Sequence, residues 1–296
     1  MKRKLFSIVL SICMVFTMIP MAGGGVFAET ATSVTIGGET LSTSTGLYYH
    51  NVADVEGKHV NHEKTGANAT FEPSSGTLTL DGLNVSTTEK GIETAHFANL
   101  TIVLNGENHV ISTTTSNAAL NGNYSSSFTI RGSGSLELRA AYGIWVWNNA
   151  TIEGNAKIDI KSTIGGIYNN SSNGTITIKD NANVTIDSDD YGIGYDNGNS
   201  NRNTPVINGG ILTVKGRTAA MMVAPEFDDV SKYGITASVN WNGESPTEYN
   251  AANISSYKYL KITSKPAVTE DVGIYLRTRL VSNATLDDAT ADKIFN

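Results

Sequence analysis

The chain has 296 residues but only one cysteine, Cys13, which lies near the N-terminus. One cysteine cannot form an intramolecular disulfide, so the fold must be stabilised by packing and hydrogen bonding. Ile12 precedes Cys13 inside an apolar run, whereas a lipidated cysteine follows a small residue. Lipid attachment at this position is therefore not expected.

Basic residues are also scarce, since 21 Lys and Arg stand against 28 Asp and Glu, which gives a formal net charge of -7. Proteins that bind nucleic acid neutralise its phosphates with clustered cations. The excess of negative charge therefore argues against nucleic acid as a partner.

Only one long hydrophobic run is present, at residues 5–19, with three basic residues before it and the sequence VFA at 26–28 after it. This arrangement predicts a signal peptide over residues 1–28. Its removal takes away Cys13 and three basic residues but no acidic one, so the formal net charge falls from -7 to -10. We therefore expect a secreted, extracellular protein with no transmembrane segment after signal removal.

The remaining sequence is rich in Gly, Asn, Ser and Thr, as linkers are, but its apolar residues are periodic. Pairs one position apart predict a first strand in each repeat: Leu78/Leu80, Ile102/Leu104, Phe128/Ile130, Ala150/Ile152, Ile176/Ile178 and Pro205/Ile207. The residues inside these pairs form a β-branched column: Thr79, Val103, Thr129, Thr151, Thr177 and Val206. Second strands follow at Leu136/Leu138, Ile158/Ile160, Val184/Ile186 and Leu212/Val214. Third strands carry Ile92, Leu120, Ile144, Ile167, Ile193 and Met221.

The third-strand residues recur every 23 to 28 positions. A period in this range with three short strands per repeat is typical of a parallel β-helix, in which each repeat forms one coil and equivalent residues stack. Leucine-rich repeats share the period, but they need a leucine-and-asparagine consensus and a helical segment that the sequence does not show. We therefore predict an all-β, right-handed parallel β-helix over residues 71–264, a solenoid of about six to seven coils.

Residues 76–223, with the segments GTLTLDGLNVS, NLTIVLNGENHVIS and GTITIKDNANVTIDS, resemble the right-handed β-helix domains of exported surface proteins in Gram-positive bacteria. Residues 249–264 resemble the closing strand of such domains. These domains are often labelled carbohydrate-binding. The resemblance implies a cell-surface location and a polysaccharide partner, whether pectic, cellulosic or cell-wall glycan.

The flanks lack the repeat. Residues 29–70 are predicted to be an irregular capping segment over the first coil, and residues 265–296 a tail or the start of a further module. The capping segment contains His50, His59 and His62. Three histidines in 13 residues could bind a metal, but no firm ligand spacing is present, and a structural role in the cap is the alternative.

The segment YGIWVW at 142–147 contains two of the three tryptophans. If Ile144 points into the coil, strand alternation places Gly143, Trp145 and Trp147 outside. Stacking of coils then predicts an outward strip with the candidate binding residues Trp145, Trp147, Tyr168, Asn170 and Asp196. Rings edged by amides and carboxylates suit the apolar face and hydroxyl rim of a sugar. The alternative is that the rings only stabilise the sheet by pairing across strands.

A column of very small residues is expected to flank this strip on the outside: Gly91, Ala119, Gly143, Gly166, Gly192 and Ala220. Such a column would leave room for a long flat ligand. The glycines have a second interpretation, in which they only permit a tight bend of the chain.

The acidic stretch DSDDYGIGYDNGN at 187–199 suggests calcium, because Ca²⁺ prefers oxygen ligands. The candidate ligands are Asp189, Asp190 and Asp196. Asp187 has another interpretation, because the outward residues of the second strand form a charge ladder of Arg139, Lys161, Asp187 and Lys215.

Parallel β-helices include pectate lyases and polygalacturonases, so catalysis is an alternative. The histidine-glycine and arginine-x-lysine motifs of the polygalacturonase family are absent, and no nucleophilic serine, cysteine or phosphate-loop arrangement is present. The sequence therefore favours a non-catalytic polysaccharide-binding surface module. The alternative is a rigid structural or adhesive spacer, with a polysaccharide-degrading enzyme less favoured.

Overall fold

The computed structural model describes residues 29–42, 46–170, 174–194 and 204–265. The predicted signal peptide and almost all of the C-terminal tail lie outside these ranges. The structure is nearly all β, with 58% strand and 4% helix, and it forms a β-solenoid of parallel stacked coils. The predicted fold class is therefore confirmed. No helix within the described ranges is long and apolar enough to span a membrane.

Within the described ranges, six layers of strands stack to complete about 5 turns. Their strands are β7 (Thr77–Asp81), β8 (Asn84–Thr87), β9 (Ile92–Thr94), β10 (Ala98–Asn105), β11 (Glu107–Ser112), β12 (Ala118–Asn121), β13 (Ser127–Gly132), β14 (Ser135–Val146), β15 (Ala150–Ile152), β16 (Lys157–Asn169), β17 (Ile176–Ser188), β18 (Tyr191–Ile193), β19 (Pro205–Gly216) and β20 (Ala219–Met221). The long strands β14, β16, β17 and β19 each supply two consecutive sides of a coil.

Three parallel stacks form the sides of the solenoid. The first contains β7, β10, β13, β15, β17 and β19, and the second contains β8, β11, β14, β16, β17 and β19. The third contains β9, β12, β14, β16, β18 and β20. Together they complete about 5 turns.

The third stack has the register that the sequence predicts. Leu120 pairs with both Ile92 and Ile144, and Ile144 pairs with Ile167. The column continues through Ile193 to Met221, and all these side chains are buried. Burying one such side chain contributes roughly 1.5–3 kcal/mol, so stacking the column stabilises every coil against its neighbours.

The predicted register of the first stack is wrong at one step. Phe128 pairs with Leu100, not with Ile102, so the second coil is shifted by two residues relative to the third. A shift of two keeps the same side chains inside, because side chains alternate with a period of two. The resulting β-branched column is Thr77, Thr101, Thr129, Thr151, Thr177 and Val206.

The column of small residues faces the core, so its predicted outward position is wrong. A Cβ on Gly143 would lie 2.2 Å from Cγ2 of Ile160 and 2.6 Å from the carbonyl oxygen of Gly166. The chain turns a corner here, and Gly143 and Ile144 are both buried, which breaks strand alternation. Equivalent 2.2 Å approaches occur at Gly91, Gly166 and Gly192. The small residues therefore allow close packing at a corner of the coil and do not form an outer surface for a ligand.

The N-terminal segment forms short strands rather than irregular chain. They are β1 (Glu29–Thr30), β2 (Ser33–Ile36), β3 (Glu39–Ser42), β4 (Tyr48–Tyr49), β5 (Val60–Asn61) and β6 (Ala69–Glu72). β2 pairs antiparallel with β9, and β6 pairs antiparallel with β7. Asn51 covers the remaining side, at β8 of the second stack. Its side chain donates to Gly82 O at 2.8 Å and accepts from Asn84 N at 2.8 Å. All three sides of the first coil are thus covered at this end.

The C-terminal end is closed in a similar way. After β20, the two-residue strand β21 (Glu226–Phe227) starts a further parallel layer on β19. The chain then turns back through β22 (Tyr233–Ser238) and β23 (Tyr259–Ser264), with 3-10 turns at Val230–Lys232 and Ala251–Ser256. β23 pairs antiparallel with β19, so it occupies the free edge of the second stack.

Candidate functional site: an aromatic surface on the third stack

Trp145 lies in the third stack between Asn121 on one side and Tyr168 on the other. The pairing of Trp145 with Tyr168 is the one that the sequence predicts. Trp145 is partly exposed, whereas Tyr168 is only 7% exposed. The neighbouring coils therefore bring the two rings together but leave mainly the tryptophan accessible.

Three rings form a compact inner cluster, defined here as Tyr142, Trp145 and Tyr168. The ring centroids of Trp145 lie 4.6 Å from those of Tyr142 and 4.7 Å from those of Tyr168, with edge-to-face geometry in both pairs. Tyr142 and Tyr168 are 5.7 Å apart. Such pairs contribute roughly 0.5–1.5 kcal/mol each beyond the apolar area that they bury.

A second set, the outer row, consists of Phe97, Tyr124 and Trp147. The centroid of Tyr124 lies 5.4 Å from that of Phe97 and 5.2 Å from that of Trp147. Tyr124 is 51% exposed and Phe97 37%, and Trp147 is partly exposed. The outer row therefore presents apolar ring surface to solvent across three successive coils.

A groove of ≈250 Å³ runs beside the two tryptophans, and all but one of its other lining residues are polar. Its lining consists of Lys90, Ser116, Asn117, Ala118, Asn121, Asn123, Trp145 and Trp147. Rings on one side and amide groups on the other give this groove both stacking surface and hydrogen-bonding groups.

Glu93 holds the polar wall in place. Its Oε1 accepts hydrogen bonds from Nδ2 of Asn121 at 3.2 Å and Nδ2 of Asn123 at 3.0 Å, and it forms an ion pair with Lys90. Asn123 Nδ2 also donates to the carbonyl oxygen of Thr94. The amide groups beside the tryptophans are therefore fixed before any ligand arrives, which lowers the entropy cost of binding.

The structure places two other predicted strip residues, Tyr168 and Asn170, on the opposite side of Trp145. Tyr168 donates its hydroxyl proton to Oδ1 of Asn170 at 2.8 Å, and Asp196 lies outside the described residues. The groove opens toward the preceding coils instead. Tyr124, Tyr142 and Asn117 were not identified from the sequence, although Tyr142 belongs to the YGIWVW segment itself.

The candidate calcium ligands are not gathered in the described part of the chain. Asp189 forms an ion pair with Arg217 at 2.9 Å, and the main-chain carbonyl of Asp190 accepts from Thr218 N at 3.0 Å. Within the described ranges, no group of three or more His, Cys, Asp or Glu could hold a metal ion. Asp196 cannot be placed.

The three histidines belong to the N-terminal cap. Nε2 of His50 lies 2.8 Å from the carbonyl oxygen of Glu63, and Nδ1 of His59 lies 3.0 Å from that of His50. The His59 ring also stacks on Tyr49, with centroids 5.5 Å apart. These contacts give His50 and His59 structural roles in the cap.

The charge ladder predicted on the second stack has the expected register. Arg139 pairs with Lys161, Lys161 with Asp187, and Asp187 with Lys215. Arg139 and Lys161, however, both make ionic contacts with Glu137, which accepts from Arg139 Nη2 at 2.6 Å and Lys161 Nζ at 3.2 Å. The sequence had given Glu137 no role.

The carboxyl of Glu137 has a shifted pKa. Burial raises it, but hydrogen bonds from Arg139, His109 and Lys161 outweigh burial and lower the pKa of Glu137 to about 2. A carboxyl with such a pKa stays ionised near neutral pH and is a poor general acid. Glu137 therefore serves to hold the cations around it.

Comparison with known proteins gives no relative: no protein-family model matches the chain, and no curated protein or solved structure shows a significant match. The function must therefore be argued from the geometry of the chain itself.

Proposed function

We propose that this protein is an exported cell-surface module that binds polysaccharide without catalysis, through the groove beside Trp145 and Trp147. The observation that carries the proposal is the junction of exposed rings with fixed amide groups in that groove. The predicted signal peptide and the resemblance to carbohydrate-binding-labelled surface domains support the location and the class of ligand.

The chemistry of the groove suits a sugar ring. Trp145 and Trp147 offer apolar surface to the C–H face of a pyranose, and burying such a face contributes roughly 1–3 kcal/mol per ring. The amide N–H groups of Asn121 and Asn123 are used in hydrogen bonds within the protein, so these two residues offer a hydroxyl group their side-chain oxygens as acceptors. Asn117 adds an acceptor and one N–H beyond the one that it donates to Thr88. The outer row extends the apolar surface beyond the groove, so a chain of several sugar units fits better than one unit.

The second candidate is a rigid structural or adhesive spacer without a glycan site. Its support is the low exposure of Tyr168 and its contacts with two neighbouring rings, which are typical of rings that only stabilise a sheet. The two proposals differ in what the partly exposed tryptophans do.

Tryptophan fluorescence during titration with soluble cellulosic, pectic and bacterial cell-wall glycans tests the proposal. The variant Trp241→Phe removes the third tryptophan, so the remaining emission comes from Trp145 and Trp147. A saturable change with one class of glycan is expected in this variant. Retention on that glycan should be lost in Trp145→Ala/Trp147→Ala and kept in Trp241→Phe.

Two results would contradict the proposal. Equal retention of the double alanine variant would place the ligand elsewhere. A flat response to all glycans, in protein whose circular dichroism shows a folded β structure, would favour the spacer.

A further inference from the structure

A second groove lies at the corner that follows the second stack. Its volume is ≈440 Å³, and it shares no lining residue with the groove beside Trp145. The lining consists of Ser112, Thr113, Thr114, Thr115, Arg139, Ala140, Ala141, Lys161, Ser162, Thr163, Asp187, Asp189, Arg217 and Trp241. We call it the corner groove.

The corner groove carries more positive than negative side chains, although the chain as a whole has a formal net charge of -7. Arg139, Lys161 and Arg217 line it, against two carboxylates, Asp187 and Asp189. All three cationic side chains are about half exposed, so their charges are accessible to a ligand. One of the carboxylates, Asp189, is already paired with Arg217 at 2.9 Å.

Glu137 fixes two of these cations from outside the groove. Nε and Nη2 of Arg139 donate to Oε1 of Glu137 at 2.8 and 2.6 Å, and Lys161 Nζ donates to the same oxygen at 3.2 Å. A guanidinium has further N–H donors beyond the two used here, and an ammonium has three. Arg139 and Lys161 are thus held side by side with donors to spare.

Trp241 lines the corner groove and contacts two cationic side chains. The guanidinium carbon of Arg217 lies 4.4 Å from the centre of the Trp241 ring, and Nζ of Lys215 lies 5.2 Å from it. Trp241 Nε1 and the hydroxyl of the buried Ser162 have no hydrogen-bond partner within the described part of the chain. Two buried polar atoms of residues that line one groove thus have no hydrogen-bond partner, whereas most buried polar atoms in proteins have one.

We propose that the corner groove is a second binding site and takes an anionic segment of a glycan, with Arg139 and Lys161 contacting its oxyanion. Paired cations with free donors suit carboxylate and phosphate oxygens alike. The hydroxyl groups of the threonines and the ring of Trp241 suit the sugar or polyol to which the anion is attached. The ligand chemistry has two sources, a uronate carboxylate or a phosphodiester in a cell-wall polymer.

This site goes beyond the proposed function, because it recognises charge and lies apart from the aromatic groove. Calorimetric titration of the purified protein with oligogalacturonate, poly(glycerol phosphate) and a neutral cello-oligosaccharide tests it. At least one of the two anionic polymers should bind, with an affinity that falls as salt is raised. The polymer that binds identifies the source of the oxyanion.

Charge-removing variants locate the site. Arg139→Gln/Lys161→Gln should weaken binding of the anionic polymer by about tenfold, as expected for loss of charge-assisted hydrogen bonds. The matched control Arg131→Gln/Lys179→Gln removes the same charge from the first stack and should change affinity by less than about twofold. In Trp145→Ala/Trp147→Ala the salt-dependent part of anionic-polymer binding should persist while binding of a neutral glycan is lost, which separates this proposal from the aromatic groove.

The proposal would be overturned if neither anionic polymer bound at low salt, or if the two glutamine double variants lost affinity equally. Thermal unfolding monitors each variant for folding. If the Arg139/Lys161 double variant does not fold, Lys161→Gln alone provides the test, since Arg139 then retains its contact with Glu137.

Discussion

The ring of Trp145 meets that of Tyr168 edge to face, with centroids 4.7 Å apart and planes at 85°. Trp145 therefore both packs against a buried neighbour and borders the groove. Trp147 differs, since it contacts the half-exposed ring of Tyr124. The two tryptophans of one short segment thus contribute unequally to stability.

Single alanine variants should separate these roles. We expect Trp145→Ala to lower the free energy of unfolding by about 2–3 kcal/mol, because it removes two edge-to-face contacts. Trp147→Ala should cost about 1 kcal/mol, while both variants weaken glycan binding. Urea denaturation gives the stability values. Equal destabilisation by the two substitutions would show that Trp145 has no special packing role.

Gly143→Ala should be strongly destabilising, by about 2–3 kcal/mol or more, because the added carbon would overlap Ile160 and the backbone of Gly166. Gly234→Ala is a matched control within a strand, where the nearest atom to an added carbon is Oγ1 of Thr263 at 3.3 Å. The difference between their thermal unfolding midpoints measures the effect. Similar midpoints would mean that the corner can relax.

Acid should lower the free energy of unfolding by protonating Glu137. Its pKa falls from 4.5 to about 2 on folding, so its contribution to stability is present above pH 4.5 and is lost as the pH falls from 4.5 towards 2. We expect this contribution to be about 1–2 kcal/mol, because the partners Arg139 and Lys161 are half exposed and solvent screens them. The free energy of unfolding, measured at pH 7 and at pH 2.5, gives the loss.

The variant Glu137→Gln is the control for that experiment. It should be less stable than the unsubstituted protein at pH 7 and nearly equal to it at pH 2.5. An unchanged difference between the two proteins across this range would assign the acid sensitivity to other carboxyls.

Removal of residues 29–42 should cause self-association. β2 in this segment covers the edge of β9, and its buried Val34 and Ile36 pack on the core. An uncovered strand edge pairs readily with another chain. Light scattering of the shortened and full-length proteins at equal concentration measures the effect. A shortened protein that stays monomeric would show that residues 46–76 cover the end sufficiently.

The sequence predicted the fold because its second and third strands each carry buried residues at fixed spacing. It was less informative for the first strand. Leu100, Ile102 and Leu104 alternate so regularly that pairing Phe128 with either of the first two buries the same faces, and only the backbone register separates them. The N-terminal cap was also not predicted as strands, because its segments are too short for periodicity to appear.

The candidate site was predicted only in part. Alternation along YGIWVW correctly left Trp145 and Trp147 partly exposed, but it failed at Gly143, where the coil bends and two successive residues face inward. The groove itself depends on Lys90 and Asn117, which lie in loops with no periodic signal. Contacts between loops of adjacent coils follow from the three-dimensional stack and not from any single repeat.

Antiparallel strands cover both ends of the solenoid, so the parallel coils between them are fixed in number. The coils themselves form a modular interior. Lys157 of one coil pairs with Asn183 of the next, so residues 157–182 amount to one complete turn. Because each coil contacts mainly its neighbours, a duplicate of this turn could be inserted between them and still meet matching surfaces above and below. The protein would then grow by roughly 4.8 Å along its axis, one strand spacing, with both ends unchanged.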